Sequence, residues 1–212
     1  MIQIDIGPPM SLQHREIYGK ARLLLADEVG VGKTLSLTAS AMMSALLDDG
    51  PILILCPSTL QWQVELADKL GIPSAVWLSN RKVWSDPNGH IIKTRGPEDI
   101  TNCPFRIAIV STGLIFHDSE ERGYLLDRKY GAVVLDEAHK ARRRGGLGAK
   151  KGEPNNLLDF MFRIGSRTRN LLLGTATPIQ TEVNELWDLL RILNAGADFV
   201  LGREFFGKWD DC

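Results

Sequence analysis

Short apolar runs recur along the chain, and stretches with helical spacing separate several of them. Leu23–Ala26, Ile52–Cys56, Ala75–Leu78, Arg106–Val110, Ala132–Leu135 and Asn170–Leu173 are predicted strands. Several are apolar throughout rather than alternating, the pattern of parallel strands covered on both faces. Helical spacing marks Thr34–Leu47 and Thr59–Leu70, and Glu182–Leu193 places Val183, Leu186, Leu189, Leu190 and Leu193 on one face. The alternation predicts an α/β fold: a mostly parallel sheet, helices on both faces and right-handed crossovers. Ligands of such sheets bind outside the carboxyl ends of the strands, so functional residues are expected just after these runs.

Two stretches break the pattern. Residues 79–105 are polar and rich in Asn, Pro, Gly and Asp, and read as an irregular excursion or short hairpin. Residues 140–155 form a basic, glycine-rich loop in which Lys140, Arg142, Arg143, Arg144, Lys150 and Lys151 cluster without an intervening acid. Such a loop suits a DNA backbone or a partner, or is a solvated insertion.

Glycine and cation recur in the chain's most informative segment, Leu23-Leu24-Leu25-Ala26-Asp27-Glu28-Val29-Gly30-Val31-Gly32-Lys33-Thr34. An apolar strand runs through a turn ending Gly-Lys-Thr into a predicted helix, the setting in which that triplet binds phosphate. Gly30 and Gly32 let backbone N–H groups approach phosphate oxygens. The helix start adds unpaired N–H groups and its positive dipole end. Lys33 is expected on the β- and γ-phosphates and the Thr34 hydroxyl on Mg²⁺. Asp27, Glu28, Val29, Gly30, Val31, Gly32, Lys33 and Thr34 are thus the candidate ATP-binding residues. The generic phosphate-loop pattern has glycine where Asp27 stands, which leaves a plain strand-to-helix turn as the alternative at this segment alone.

A second strand, Ala132–Leu135, ends in Asp136-Glu137-Ala138-His139. A nucleotide hydrolase needs one carboxylate for Mg²⁺ and one group for the attacking water. Neighbouring residues at a strand end point different ways and can divide that work. Asp136 is assigned to Mg²⁺ through water and Glu137 to the water; with Lys33 they form the candidate catalytic set. The competing reading is a pair of acids that cap a following helix.

Taken in order, Ala26 to Thr34, Leu55-Cys56-Pro57-Ser58-Thr59-Leu60 with Gln61-Trp62, the Asp-Glu-Ala-His run, and Gly174-Thr175-Ala176-Thr177-Pro178-Ile179-Gln180 followed by Glu185-Leu186-Trp187 resemble the Swi/Snf family. These are helicase-like, DNA-dependent ATPases of superfamily two. Asp27 is usual in that family, and Val29 looks more like its bacterial branch, which includes the RNA-polymerase-associated recycling ATPase and phage-defence relatives. The resemblance runs from about residue 20 to 210. It implies a RecA-like P-loop lobe with a DEAH box, ATP and Mg²⁺ as cofactors, and DNA as a sequence-independent partner. It places Pro57, Ser58, Thr59, Ser111 and Thr112 on the backbone of the tracked strand. Hydroxyls and amides at strand ends suit phosphate contact, although each Ser or Thr can equally cap a helix. It also gives the segment Gly174–Pro178 the role of coupling hydrolysis to DNA movement, with Thr175 and Thr177 bonding to the acidic motif through His139. Trp187 is read as a core residue. Two other readings stay open: a non-catalytic nucleotide-binding interaction module, and a lobe of a restriction-type or RNA helicase.

Superfamily-two motors hold ATP between two RecA-like lobes, and residues 1–212 are expected to form the first lobe alone, as a single domain. The arginine-rich motif of the second lobe is not found, so weak hydrolysis is expected from this chain by itself. The adenine-reading glutamine motif is unclear, with Gln13 a candidate. Length and an apolar content of 44% suit one globular domain, and a net charge of −1 confines any nucleic-acid surface to a local patch. Three scattered cysteines, no eighteen-residue apolar run and no export signal predict a cytosolic protein, without membrane partners.

Overall fold

The computed structural model describes residues 8–26, 32–47, 50–144, 152–178 and 183–202. In chain order the elements are α1 (Pro8–Tyr18), β1 (Arg22–Ala26), α2 (Lys33–Leu46), β2 (Ile52–Cys56), α3 (Thr59–Leu70), β3 (Ser74–Leu78), β4 (Val83–Ser85) and β5 (Ile91–Ile92). There follow β6 (Ile107–Ser111), α4 (Thr112–Phe116), α5 (Glu120–Asp127), β7 (Ala132–Leu135), α6 (Asn156–Gly165), β8 (Asn170–Thr175) and α7 (Val183–Asn194).

The strands form one sheet in the order β1-β8-β7-β2-β6-β3-β4-β5. From β1 to β3 every pairing is parallel; β4 and β5 join antiparallel. This is a RecA-like α/β fold, and all six predicted strands are in it. The central strands are apolar on both faces because each face is covered. Leu53, Leu55, Val133 and Leu135 pack toward a core shared with Leu157, Phe160, Leu189 and Ile192 of α6 and α7. Ile52, Ile54, Ala132 and Val134 face Leu37 of α2 and Trp62 and Leu66 of α3. Side chains alternate across a strand, so one all-apolar run serves two cores.

The excursion at 79–105 is the hairpin alternative. Strands β4 and β5 extend the sheet edge, and a 3₁₀ turn over Pro97–Thr101 closes the segment. The indole N–H of Trp84 donates to the Asp99 carbonyl at 3.0 Å, and Trp77 meets Trp84 edge-to-face with ring centroids 5.1 Å apart. Trp84 anchors a polar segment in which Trp84, Ser85, Asp99 and Ile100 are buried and the rest is exposed or half-buried.

Helix α6 had no counterpart in the periodicity reading. Asn155 caps it, its side-chain oxygen accepting from Leu158 N at 2.8 Å, and Leu157, Leu158, Phe160, Met161 and Ile164 are buried. On α7 the buried side is Asp188, Leu189, Ile192, Leu193 and Asn194, so the apolar face is turned from the expected one, and Trp187 is only half-buried. No helix among the described residues is long and apolar enough to cross a membrane.

Candidate functional site

Parallel register brings the candidate residues to one edge. Ala26 lies opposite Thr175, Leu135 opposite Leu55 and Leu173, and Cys56 opposite Ser111. Five strands therefore end together at one edge of the sheet. The Asp136 N–H donates to the Leu55 carbonyl at 2.9 Å, continuing the ladder one residue past β7.

Here a cleft of about 390 Å³ is lined by Gly32, Lys33, Thr34, Pro57, Ser58, Gln61, Trp62, Glu65, Lys69, Asp136 and Glu137. On one side α2 begins at Lys33. Gly32 has φ +86°, a backbone region that other residues rarely adopt, and its carbonyl accepts the first helical N–H, from Ser36, at 3.1 Å. The Thr38 hydroxyl donates to the Thr34 carbonyl at 2.7 Å, tying down the first turn. Asp27, Glu28, Val29, Gly30 and Val31 lie outside the described residues.

On the other side both Asp136 oxygens are occupied. Oδ1 accepts from the Glu137 N–H and Oδ2 from the Trp62 indole N–H, each at 2.9 Å. Glu137 has φ 54° and ψ 47°, left-handed for a side-chain-bearing residue, at a cost of roughly 1–3 kcal/mol. That turn sends the chain into a 3₁₀ segment, Ala138–Lys140. Beneath the cleft, burial pushes the Cys56 thiol well above its usual range, with the Asp136 charge adding, so it stays protonated. Cys56 and Cys103 are free thiols, and Cys212 lies outside the described residues.

His139 links the acids to β8. Its Nδ1 is 3.0 Å from Thr175 Oγ1 and 3.2 Å from Glu137 Oε2. Thr175 Oγ1 also accepts from the Thr177 N–H at 3.1 Å, so it is the backbone of Thr177 that joins the network at this point. Burial holds the imidazole below its ordinary pKa of 6.5, Lys140 and Arg142 add to this, and Glu137 and Glu185 oppose it. Gly174 is a close-approach position: a Cβ there would lie 2.6 Å from Leu37 Cδ1 and 3.7 Å from Asp136 Oδ1.

The sequence profile of the SNF2-related domain matches residues 12–209 of this chain. The chain belongs to the SNF2-related family. It is 32% identical over 200 residues to Helicase SWR1 of Eremothecium gossypii, covering 87% of this chain and 12% of that protein. It is 30% identical over 182 residues to Protein CHROMATIN REMODELING 19 of Arabidopsis thaliana, covering 80% and 22%. Similarity to the uncharacterized ATP-dependent helicase YqhH of Bacillus subtilis is 31% over 183 residues, covering 84% and 27%. The chain thus spans between 12% and 27% of the length of these relatives. Among solved structures, the Sulfolobus solfataricus SWI2/SNF2 ATPase core in complex with dsDNA aligns with a TM-score of 0.63 at 22% identity, over 95% of this chain and 36% of that one. The Pyrococcus furiosus Hef helicase domain aligns with a TM-score of 0.55 at 18% identity, over 86% and 35%. Both likenesses concern the fold.

In this SNF2-related domain the candidate strand-contact residues differ in availability. Pro57 and Ser58 are exposed, Thr59 is half-buried, and Ser58 makes no capping bond. Ser111 does cap, its hydroxyl accepting from Gly113 N at 3.1 Å, and the Thr112 side chain is buried. Contact from position 112 would therefore use its backbone.

The basic loop of the SNF2-related domain is not a set of free cations. Arg142 lies 3.9 Å from Glu185, and Arg143 lies 3.3 Å from the buried Asp188, both acids on α7. The chain on either side of the loop closes as a short clasp, with Arg144 N donating to the Glu153 carbonyl at 2.8 Å and Gly152 N to the Arg144 carbonyl at 2.9 Å. Acids absent from the local sequence are supplied by the fold. Lys150 and Lys151 lie outside the described residues. Sequence reasoning placed Trp62 in a motif but gave it no role; its signal is a Trp on the buried face of a helix, whose N–H requires an acceptor.

Proposed function

We propose that this chain is the ATP-binding lobe of a DNA-translocating, helicase-like ATPase. The observation that carries the reading is that Gly32, Lys33 and Thr34 share one cleft with Asp136 and Glu137. A cation, a hydroxyl and a helix N-terminus face two carboxylates, which is the donor set an Mg-triphosphate requires.

The residues fit magnesium. Among the described residues no group of three or more His, Cys, Asp or Glu side chains is arranged to hold a metal. An ion here would be held by one carboxylate and one hydroxyl, together with phosphates and water, the usual manner for Mg²⁺ at nucleotide sites. Thr34 and Asp136 would hold it, and when bound it offsets charge on the phosphate oxygens. Lys33 binds the β- and γ-phosphates. Asp136 keeps one orientation because each of its oxygens already accepts an N–H. Glu137 orients the attacking water and takes its proton, while His139 steadies its carboxylate. The phosphate loop, including Asp27 to Val31, completes the nucleotide contacts.

Pro57, Ser58, Thr59, Ser111 and the backbone at Thr112 contact phosphates of one DNA strand without reading sequence. His139, Thr175 and Thr177 couple the acids to movement. Efficient hydrolysis requires a second RecA-like lobe carrying arginine, a contribution on the order of 10³–10⁵ in rate. Family membership supports this reading, and the solved Sulfolobus neighbour bears the same kind of partner, dsDNA.

Calorimetry with Mg-ADP tests the site: the wild-type chain binds, Lys33→Ala loses at least about tenfold in affinity, and failure of the wild type to bind sinks the reading. A steady-state ATPase assay with and without double-stranded DNA tests the rest. Low turnover is expected, abolished by Glu137→Gln with binding retained. Robust DNA-stimulated turnover by this chain alone would remove the need for a second lobe.

A further inference from the structure

Trp62 ties two parts of the cleft that belong to different elements. It sits in the first turn of α3, where its backbone N–H donates to the Ser58 carbonyl at 3.2 Å. Its side chain is 3% exposed and packs in the core with Ile54, Cys56 and Leu66. From there the indole N–H reaches Asp136 Oδ2 at 2.9 Å, past the end of β7.

Three physical points make this more than packing. A buried indole N–H without an acceptor is costly, so the ring and the carboxylate hold each other in place. A hydrogen bond to an ionised acceptor is roughly twice as strong as a neutral one. With Oδ1 taking the Glu137 N–H, the carboxylate plane is fixed by donors from two directions, leaving its remaining lone pairs aimed away from both.

The same bond has a mechanical consequence. Helix α3 starts immediately after Pro57 and Ser58, both exposed. Less than two helical turns separate that segment from the ring that grips Asp136. The helix start and the indole bond thus connect the segment to the carboxylate by a short path.

We propose that Trp62 is a positioning residue for the Mg²⁺ carboxylate, and the link by which a DNA strand on Pro57–Thr59 acts on the nucleotide site. The proposal rests on reading the cleft as an Mg-nucleotide site and Pro57–Thr59 as a DNA contact.

The test uses the 212-residue chain and a fluorescent ADP analogue, titrated in excess Mg²⁺ and again in EDTA. The ratio of the two affinities isolates the ion's contribution. Trp62→Phe keeps an aromatic ring and removes the donor. Loss of a group that orients a metal ligand costs about 10–100-fold in metal affinity, so the ratio is expected to fall by about tenfold while binding in EDTA stays within about twofold. Leu66→Ala, buried on the same helix, is the control: it lowers the melting temperature and leaves the ratio alone. A Trp62→Phe ratio equal to wild type overturns the proposal. Absence of nucleotide binding by the wild type in either buffer is a different result, and fails the site itself.

Indole ¹⁵N–H resonances of the wild-type chain provide a second measurement that does not depend on Trp62→Phe folding. One resonance is expected to shift in Asp136→Ala, and to move with Mg-ADP but not with ADP in EDTA. An indole spectrum indifferent to Asp136→Ala overturns the positioning role. Saturating duplex DNA, with binding verified by anisotropy, is expected to move the same resonance; bound DNA that leaves it in place overturns the link.

Discussion

His139 and Thr175 meet across the carboxyl edge of the sheet, with Nδ1 and Oγ1 3.0 Å apart, and the same Nδ1 is 3.2 Å from Glu137 Oε2. Thr175 is fully buried and its hydroxyl also receives the Thr177 N–H. One oxygen therefore organises both the end of β8 and His139, the second residue after the acids. Thr175→Val keeps the volume and removes that oxygen, which leaves the half-buried His139 ring nitrogen and the Thr177 N–H without this partner. A loss of about 1–3 kcal/mol is expected in chemical denaturation, with Thr175→Ser close to wild type.

The His139 imidazole is held below its ordinary pKa, chiefly by burial. The unfolded chain then binds this proton more readily than the folded one. The site's contribution to stability is complete above about pH 6.5 and is lost as pH falls through the lowered folded value. Melting temperatures taken between about pH 7.5 and 5 should fall less steeply for His139→Gln than for wild type.

Glu137 combines a proposed chemical role with a left-handed backbone. Glycine takes that conformation without the steric cost of a Cβ, about 1–2 kcal/mol. Glu137→Gly should therefore melt higher than Glu137→Gln, and the proposed role of Glu137 predicts that neither variant turns over. If the glutamine variant is the more stable, the backbone at this position is not strained.

Asp188 is buried, which raises its carboxyl pKa, and Arg143 opposes the rise. The folded form binds this proton more tightly, so its contribution to stability declines as pH climbs from about 3.9 through the raised value. Arg143→Met leaves the carboxylate without its cation. Because Arg143 is 40% exposed and the pair is partly screened, the expected loss is about 1–2 kcal/mol at neutral pH. Adding Asp188→Asn should recover part of it in urea unfolding, since the uncompensated charge is then gone.

Much of the fold was legible along the chain. Runs such as Ile52–Cys56 are apolar at every position, and only a strand covered on both faces asks for that. The short helices α4 and α5 were not legible, because a few residues carry too little periodicity. Helix α6 was hidden behind the polar, glycine-rich segment before it. Of the candidate site, the lysine-threonine turn and the acidic pair stood out, since their order and spacing are local. The face of α7 was misjudged because Asp188 is buried, and burial of an acid follows from where Arg143 arrives, 45 residues earlier.

Composition, hydrophobic period and motif order were enough for an α/β sheet with a helix starting at the Gly-Lys-Thr triplet and an acidic strand end. Each of those is a short-range property of covalent neighbours. Which groups touch was decided by packing. The grip of Trp62 on Asp136 spans 74 residues, and the meeting of His139 with Thr175 spans 36. Parallel strands in register bring such distant positions to a common edge, and hydrogen-bond geometry at that edge exists only once the sheet has formed.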